Sequence, residues 1–132
     1  EALTWVSQNV PSGRNFLIYP SESNLALSPL LEWFPALASQ TSLSTQQGRE
    51  WLSGPLHSDA FGPRSEEWLA CAQFGEECLD AWMSSSGEVL DYVLISTRVP
   101  NNAARLSHSL ERSAAYKLIY QNPQIEIYQR SP

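Results

Sequence analysis

Two short apolar runs, residues 15–19 (NFLIY) and 91–96 (DYVLIS), set the limits on what this chain can become. Neither alternates apolar with polar through its middle, and both are bounded by turn or polar residues, the pattern of strands covered on both faces. Such strands need helices to cover them, and the intervening stretches provide helical patterns. Leu3, Val6 and Val10 recur at helical spacing with Trp5 alongside, and Pro11-Ser12-Gly13 ends that stripe. Ser28-Pro29 opens a second helix, with Ser as the cap and Pro at the first helical position. Leu30, Leu31, Phe34, Leu37 and Ala38 form its expected inner face, and Pro35 should kink or shorten it by removing a backbone donor. Residues 41–45 are rich in β-formers and read as a second strand, and Gly and Pro recur through 53–64 as in a surface loop.

The longest helical pattern covers 65–86, opened by Ser65-Glu66-Glu67 and interrupted at Gly75. Trp68, Leu69, Ala72, Leu79, Trp82 and Met83 mark its inner side. A further helix spans 101–115 through Ala104, Leu106, Leu110 and Ala114, and strands at 116–120 and 125–128 flank a turn at Gln121-Asn122-Pro123-Gln124. Strands alternating with helices predict an α/β fold: a single three-layer domain over 1–132, with a mainly parallel sheet of about five strands and a C-terminal antiparallel hairpin. At 132 residues and 42% hydrophobic the chain holds one core, not two.

Charge narrows the function classes. Residues 1–97 carry twelve acids against three bases, and 98–132 two acids against five bases, giving the net charge of −6. No Lys/Arg cluster exists to neutralise phosphates, so nucleic acid is not an expected partner. No GxGxxG, phosphate-binding loop or GxSxG occurs, and no cofactor is implied. The chain carries no run of eighteen apolar residues and opens directly on the helix-like Glu-Ala-Leu-Thr-Trp, which we read as the start of a piece of a larger polypeptide.

Cys71 and Cys78 stand seven residues apart. On an unbroken helix the separation is about 10.5 Å of rise, beyond the roughly 7 Å that a disulfide tolerates between Cα atoms. A break at Phe74-Gly75 would let the halves fold back. The pair reads as a disulfide of an oxidising compartment or as two buried thiols. Neither His57 nor His108 sits at metal-ligand spacing from it, so no metal is expected.

Residues 32–51 repeat the pair Glu-Trp at their two ends, Glu32-Trp33 and Glu50-Trp51, with Gln47-Gly48 between. Two carboxylates beside indoles suit acid–base work on a sugar, while the plainer alternative puts both tryptophans in the core. A structural or ligand-orienting role fits better than chemistry. His57 and Asp59 form a lone H-x-D, too short a pattern to define a catalytic or metal site. The loop Pro20–Asn24 follows the first strand, at the strand end where open α/β sheets commonly hold ligands.

Taken in order, ALTWVSQNVPSGRNFLIY, EWFPALASQTSLSTQQGREWL, the cysteine helix ending LDAW, DYVLIS and YKLIYQNPQIEIYQ resemble the extracytoplasmic C-terminal domain of polytopic, GT-C-like membrane glycosyltransferases that use polyprenyl-phosphate sugars. The resemblance covers nearly the whole chain and is most specific over EWFPAL and QGREWL. It lacks the WWDYG residues of oligosaccharyltransferase catalytic subunits. It implies an extracytoplasmic domain, periplasmic or at the cell surface, attached through preceding spans of its own chain. It also implies Glu32, Trp33, Gln47, Gly48, Glu50 and Trp51 as candidates for contact with a lipid-linked sugar or acceptor. The catalytic acid of that class is expected between membrane spans, so the domain alone should be inactive. The rival readings are a free-standing sugar- or protein-binding module and a small enzyme using His57, Asp59 and Glu50.

Overall fold

The structure, a computed structural model, describes residues 1–45 and 67–132. Its elements run α1 (Ala2–Asn9), β1 (Asn15–Tyr19), α2 (Pro29–Ala38), β2 (Thr41–Ser42), α3 (Glu67–Ala70), α4 (Glu76–Ser86), β3 (Tyr92–Ser96), α5 (Ala104–Glu111), β4 (Tyr116–Gln121) and β5 (Ile125–Arg130). Single 3₁₀ turns lie at Leu25–Leu27 and Cys71–Gln73. The five strands form one α/β sheet in the order β2-β1-β3-β5-β4. β1 runs parallel to β2 and β3, while β5 runs antiparallel to β3 and β4. The sheet is therefore evenly mixed, not mainly parallel, because β5 of the hairpin returns against β3 and β2 contributes only a two-residue pairing.

The two apolar runs are central neighbours, with Leu17 opposite Val93 and Ile18 opposite Leu94. Alternation along them sends side chains to two clusters. Phe16, Ile18, Leu94 and Ile127 pack with Val6 and Val10 at the end of α1 and with Leu31, Phe34 and Ala38 of α2. Leu17, Tyr19, Val93, Ile95 and Tyr128 pack with Trp68, Leu79, Trp82, Leu106 and Leu110 of α3, α4 and α5. Each fully buried aliphatic contributes about 1.5–3 kcal/mol through its area removed from water.

The short β2 has a local cause. Leu43 still donates its amide to the carbonyl of Phe16 at 2.8 Å, but the next ladder position is filled by a side chain: the Ile18 amide donates to Ser44 Oγ at 2.7 Å. Ser42 Oγ in turn accepts the amide of Thr45 at 3.1 Å. Serine and threonine hydroxyls compete with strand pairing in this way.

Ser28 caps α2 as the sequence predicts, accepting from the Leu31 amide at 3.4 Å. The helix continues through Pro35 to Ala38 and ends on Ser39, at φ 58°. Pro35 lacks the amide that would bond the Leu31 carbonyl, and the Thr45 hydroxyl supplies the donor instead at 3.0 Å. A side chain from beyond β2 thus satisfies the gap that would otherwise break the helix.

The pattern over 65–86 does not form one helix. From Glu67 it runs through α3 and the 3₁₀ turn, stops at Gly75 with φ 95°, and restarts as α4. The reversal brings Cys71 and Cys78 to a Cα separation of 5.2 Å in a disulfide, so the free-thiol alternative falls. Ser65 and Glu66 lie outside the described residues, as do 53–64 of the expected loop. α5 is shorter than predicted, and Ala104 and Ala114 face solvent instead of the core. In the hairpin, Asn122 Oδ1 accepts from the amides of Gln124 and Ile125, each at 2.8 Å, holding the turn between β4 and β5.

Candidate functional site

Of the residues predicted as a ligand site, Glu32 and Trp33 lie on α2; Gln47, Gly48, Glu50 and Trp51 lie outside the described residues, as do His57 and Asp59. Leu31, Phe34 and Ala38 turn α2 inwards, which leaves Glu32, Trp33 and Leu37 on the outer face. Trp33 is 54% exposed, so it is not a core residue; Leu37, one turn on, is 56% exposed. Residues four apart on a helix are surface neighbours, so the indole and Leu37 form an apolar ridge beside a carboxylate. The other described tryptophans are satisfied internally. Trp68 and Trp82 are buried, and Trp5 lies against Tyr120 with ring centroids 4.9 Å apart.

A second arrangement follows from strand order. After β1 the chain passes into α2, which packs on one face of the sheet; after β3 it passes into α5, which packs on the other. Adjacent parallel strands whose connections diverge in this way open a crevice at their carboxyl ends. Here the crevice holds two adjoining hollows of about 140 and 270 Å³, both reached by Glu22. Ser21, Ser96, Arg98 and Gln124 line the smaller, over Leu30 and Ile125. Pro20, Ser23, Gln73 and Asn102 line the larger, over Tyr19, Leu25 and Leu69. The rim is cross-braced. Ser21 Oγ and Ser96 Oγ lie 2.6 Å apart, Asn102 Nδ2 donates to the Ser21 carbonyl at 2.8 Å, and Gln73 Nε2 donates to the Asn102 carbonyl at 3.2 Å. Gln73 belongs to the turn that begins at Cys71, so the disulfide steadies this wall.

Another hollow, of about 690 Å³, lies at the opposite end of β1 and β3. Arg14, Asp91 and Arg130 line it together with Trp5, but its charges serve the fold. Asp91 Oδ2 accepts the first amide of β1, Asn15, at 2.9 Å and its other oxygen faces Arg14 at 3.9 Å, while Arg130 reaches Asp80 at 3.9 Å. Both ion pairs are substantially solvated and contribute little. Burial pushes the nearby Tyr116 phenol up to about 12, although the Arg130 guanidinium beside it pulls the other way.

A buried polar cluster lies on the sheet face under α5. Ser107 donates to Glu126 Oε2 at 2.6 Å, Tyr128 donates to the same oxygen at 3.1 Å, and Gln121 Nε2 donates to Oε1 at 3.3 Å. Burial, with the Glu126 carboxylate alongside, holds the Tyr128 phenol well above its ordinary range. Tyr19 is raised in the same direction by burial, and its hydroxyl donates to the Trp68 carbonyl at 2.6 Å. Ser107, Glu126, Tyr128 and Tyr19 are buried and partnered, so they read as core bracing. His108 is exposed on α5. Among the described residues no group of three His, Cys, Asp or Glu side chains could hold a metal ion, and no helix is long and apolar enough to cross a membrane.

The sequence pointed to the loop after β1 but not to Ser96, Arg98 or Asn102, which join it only through the pairing of β1 with β3. No known protein family, curated protein or solved structure matches the chain.

Proposed function

We propose that this chain is an accessory extracytoplasmic domain of an integral-membrane glycosyltransferase that uses a lipid-linked sugar, a three-layer α/β unit without catalysis of its own. In this reading it shapes the acceptor side of a site formed by the membrane-embedded part of its parent chain. The observation that carries the proposal is the exposed ridge of Trp33 and Leu37 beside Glu32 on α2. An indole that is half exposed on a capped, well-packed helix contributes little to the fold and offers an aromatic face and a carboxylate to a partner or sugar. The Cys71–Cys78 disulfide supports an oxidising compartment, as an extracytoplasmic location requires. Gln47, Gly48, Glu50 and Trp51 complete the proposed surface on sequence grounds.

The test is glycosyl transfer by the full-length parent in lipid vesicles, with Trp33→Ala and Glu50→Ala introduced separately. Each should lower transfer roughly tenfold, about 1.4 kcal/mol of lost stabilisation, while the amount of folded, oxidised protein stays the same. Unchanged transfer in both variants would remove these residues from the function. The alternative, a free-standing sugar- or protein-binding module, is favoured by the crevice at the carboxyl ends of β1 and β3. It requires affinity of the isolated domain for a glycan or protein, which calorimetric titration reads directly.

A further inference from the structure

We propose that the crevice between the carboxyl ends of β1 and β3 is a binding site for a neutral polyhydroxylated ligand, a single glycosyl ring, recognised by Glu22, Arg98, Asn102 and the Ser21–Ser96 hydroxyl pair. This site is separate from the α2 ridge and stands whether or not the parent enzyme is a glycosyltransferase.

Proton counting gives the first argument. Ser21 and Ser96 carry two hydroxyl protons between them, and their contact at 2.6 Å uses one. The remaining acceptor for the second is the Arg98 carbonyl, 3.4 Å from Ser21 Oγ, at the limit of a useful bond. The pair therefore has a hydroxyl proton available to a ligand, although Ser96 itself is 5% exposed. Arg98 and Asn102 add donors, and Glu22 adds an acceptor-only carboxylate. A sugar hydroxyl both gives and takes hydrogen bonds, and vicinal hydroxyls match planar carboxylate, amide and guanidinium groups. Leu25, Leu30 and Ile125 supply apolar floor for the ring carbons.

Charge and backbone chemistry favour a neutral ligand over the obvious competitor, an anion. Glu22 faces both hollows, so the positive charge of Arg98 is not left uncompensated. α2 opens beside the crevice, but Pro29 has no amide to offer and the Leu31 amide is taken by Ser28 Oγ, which leaves the single amide of Leu30 in the first turn. Neither loop, PSESN or TRVPNN, contains a glycine that would let backbone approach a phosphate. The hollows, at about 140 and 270 Å³, fall below the common 300 Å³ lower bound for small-molecule pockets and suit one ring rather than a nucleotide.

The experiment titrates the nitrogen-labelled chain with methyl glycosides of glucose, galactose and mannose, and separately with inorganic phosphate, following backbone amide shifts. At least one glycoside should move the amides of 21–23, 96–98 and 102 in a saturable way. Glu22→Gln and Arg98→Ala should each weaken that binding at least about fivefold while leaving amides elsewhere unmoved. Three results would overturn the proposal: no saturable shift at those amides with any of the glycosides, phosphate binding there more tightly than every glycoside, or Glu22→Gln leaving glycoside affinity unchanged. Failure here leaves the Trp33→Ala transfer assay untouched, and failure there leaves this site untouched.

Discussion

Gly75 is the residue at which the disulfide, the α3–α4 reversal and α5 meet, and replacing it with Ala tests that junction directly. Its backbone sits at φ 95° and ψ −164°, a region nearly closed to residues with a Cβ, where each such residue costs about 1–3 kcal/mol. Contact adds to this, since a Cβ at Gly75 would lie 2.8 Å from Ser109 Oγ and 3.1 Å from Ser109 Cβ. Ser109 is not free to swing away. Its Oγ accepts the amide of Glu76, the first residue of α4, at 3.1 Å. Rotating it would leave that helix-opening amide unpaired, at about 1 kcal/mol.

The combined cost of Gly75→Ala is therefore about 3 kcal/mol. With a urea dependence of about 2 kcal/mol per molar, the unfolding midpoint of the oxidised protein should fall by roughly 1.5 M. Two companions separate the causes. Gly87→Ala, at φ 74° with nothing within 4 Å of the added carbon, should cost only about 1 kcal/mol of backbone strain. Gly75→Ala in a Ser109→Gly background should recover the contact part, a coupling of at least about 1 kcal/mol. If Gly75→Ala costs no more than Gly87→Ala, the claim that Ser109 blocks this position is wrong.

Two further outcomes follow from the same structure. Replacing Cys71 and Cys78 together by Ala should destabilise by about 2.5 kcal/mol, the loop-closure entropy of a bridge this short in sequence; addition of reductant to the unsubstituted chain should lower its urea midpoint by a similar amount, and an unchanged midpoint would show that the bridge contributes nothing. The Tyr116 phenol is raised by burial from 10.0 to about 12, so the folded state holds that proton more tightly than the unfolded chain does. Stability from this group is full below about pH 10 and is lost as pH rises from there towards 12; ultraviolet phenolate absorbance should show Tyr116→Phe removing a late-ionising group, and a Tyr116 that ionises at its ordinary value would refute the assignment.

The sequence made some of this legible and hid the rest for identifiable reasons. NFLIY and DYVLIS declared themselves because strands buried on both faces carry no polar residue through their middle. The reversal at Phe74-Gly75 was legible because Cys71 and Cys78 could not meet along a straight helix. β2 was overextended because Thr41 and Thr45 favour a strand while the hydroxyls of Ser42, Ser44 and Thr45 substitute for the ladder and for the amide missing at Pro35. Trp33 was recoverable in principle: with Leu31, Phe34 and Ala38 inward, its position is roughly 130° round the helix from the buried face, whatever its hydrophobicity suggests. Ser21 and Ser96, separated by 75 residues, were not recoverable. Their meeting depends on β3 pairing with β1 on the side opposite β2, and no local pattern encodes that choice. A site built this way reaches into two loops that look like ordinary polar connections, so its chemistry becomes visible only once strand order is known.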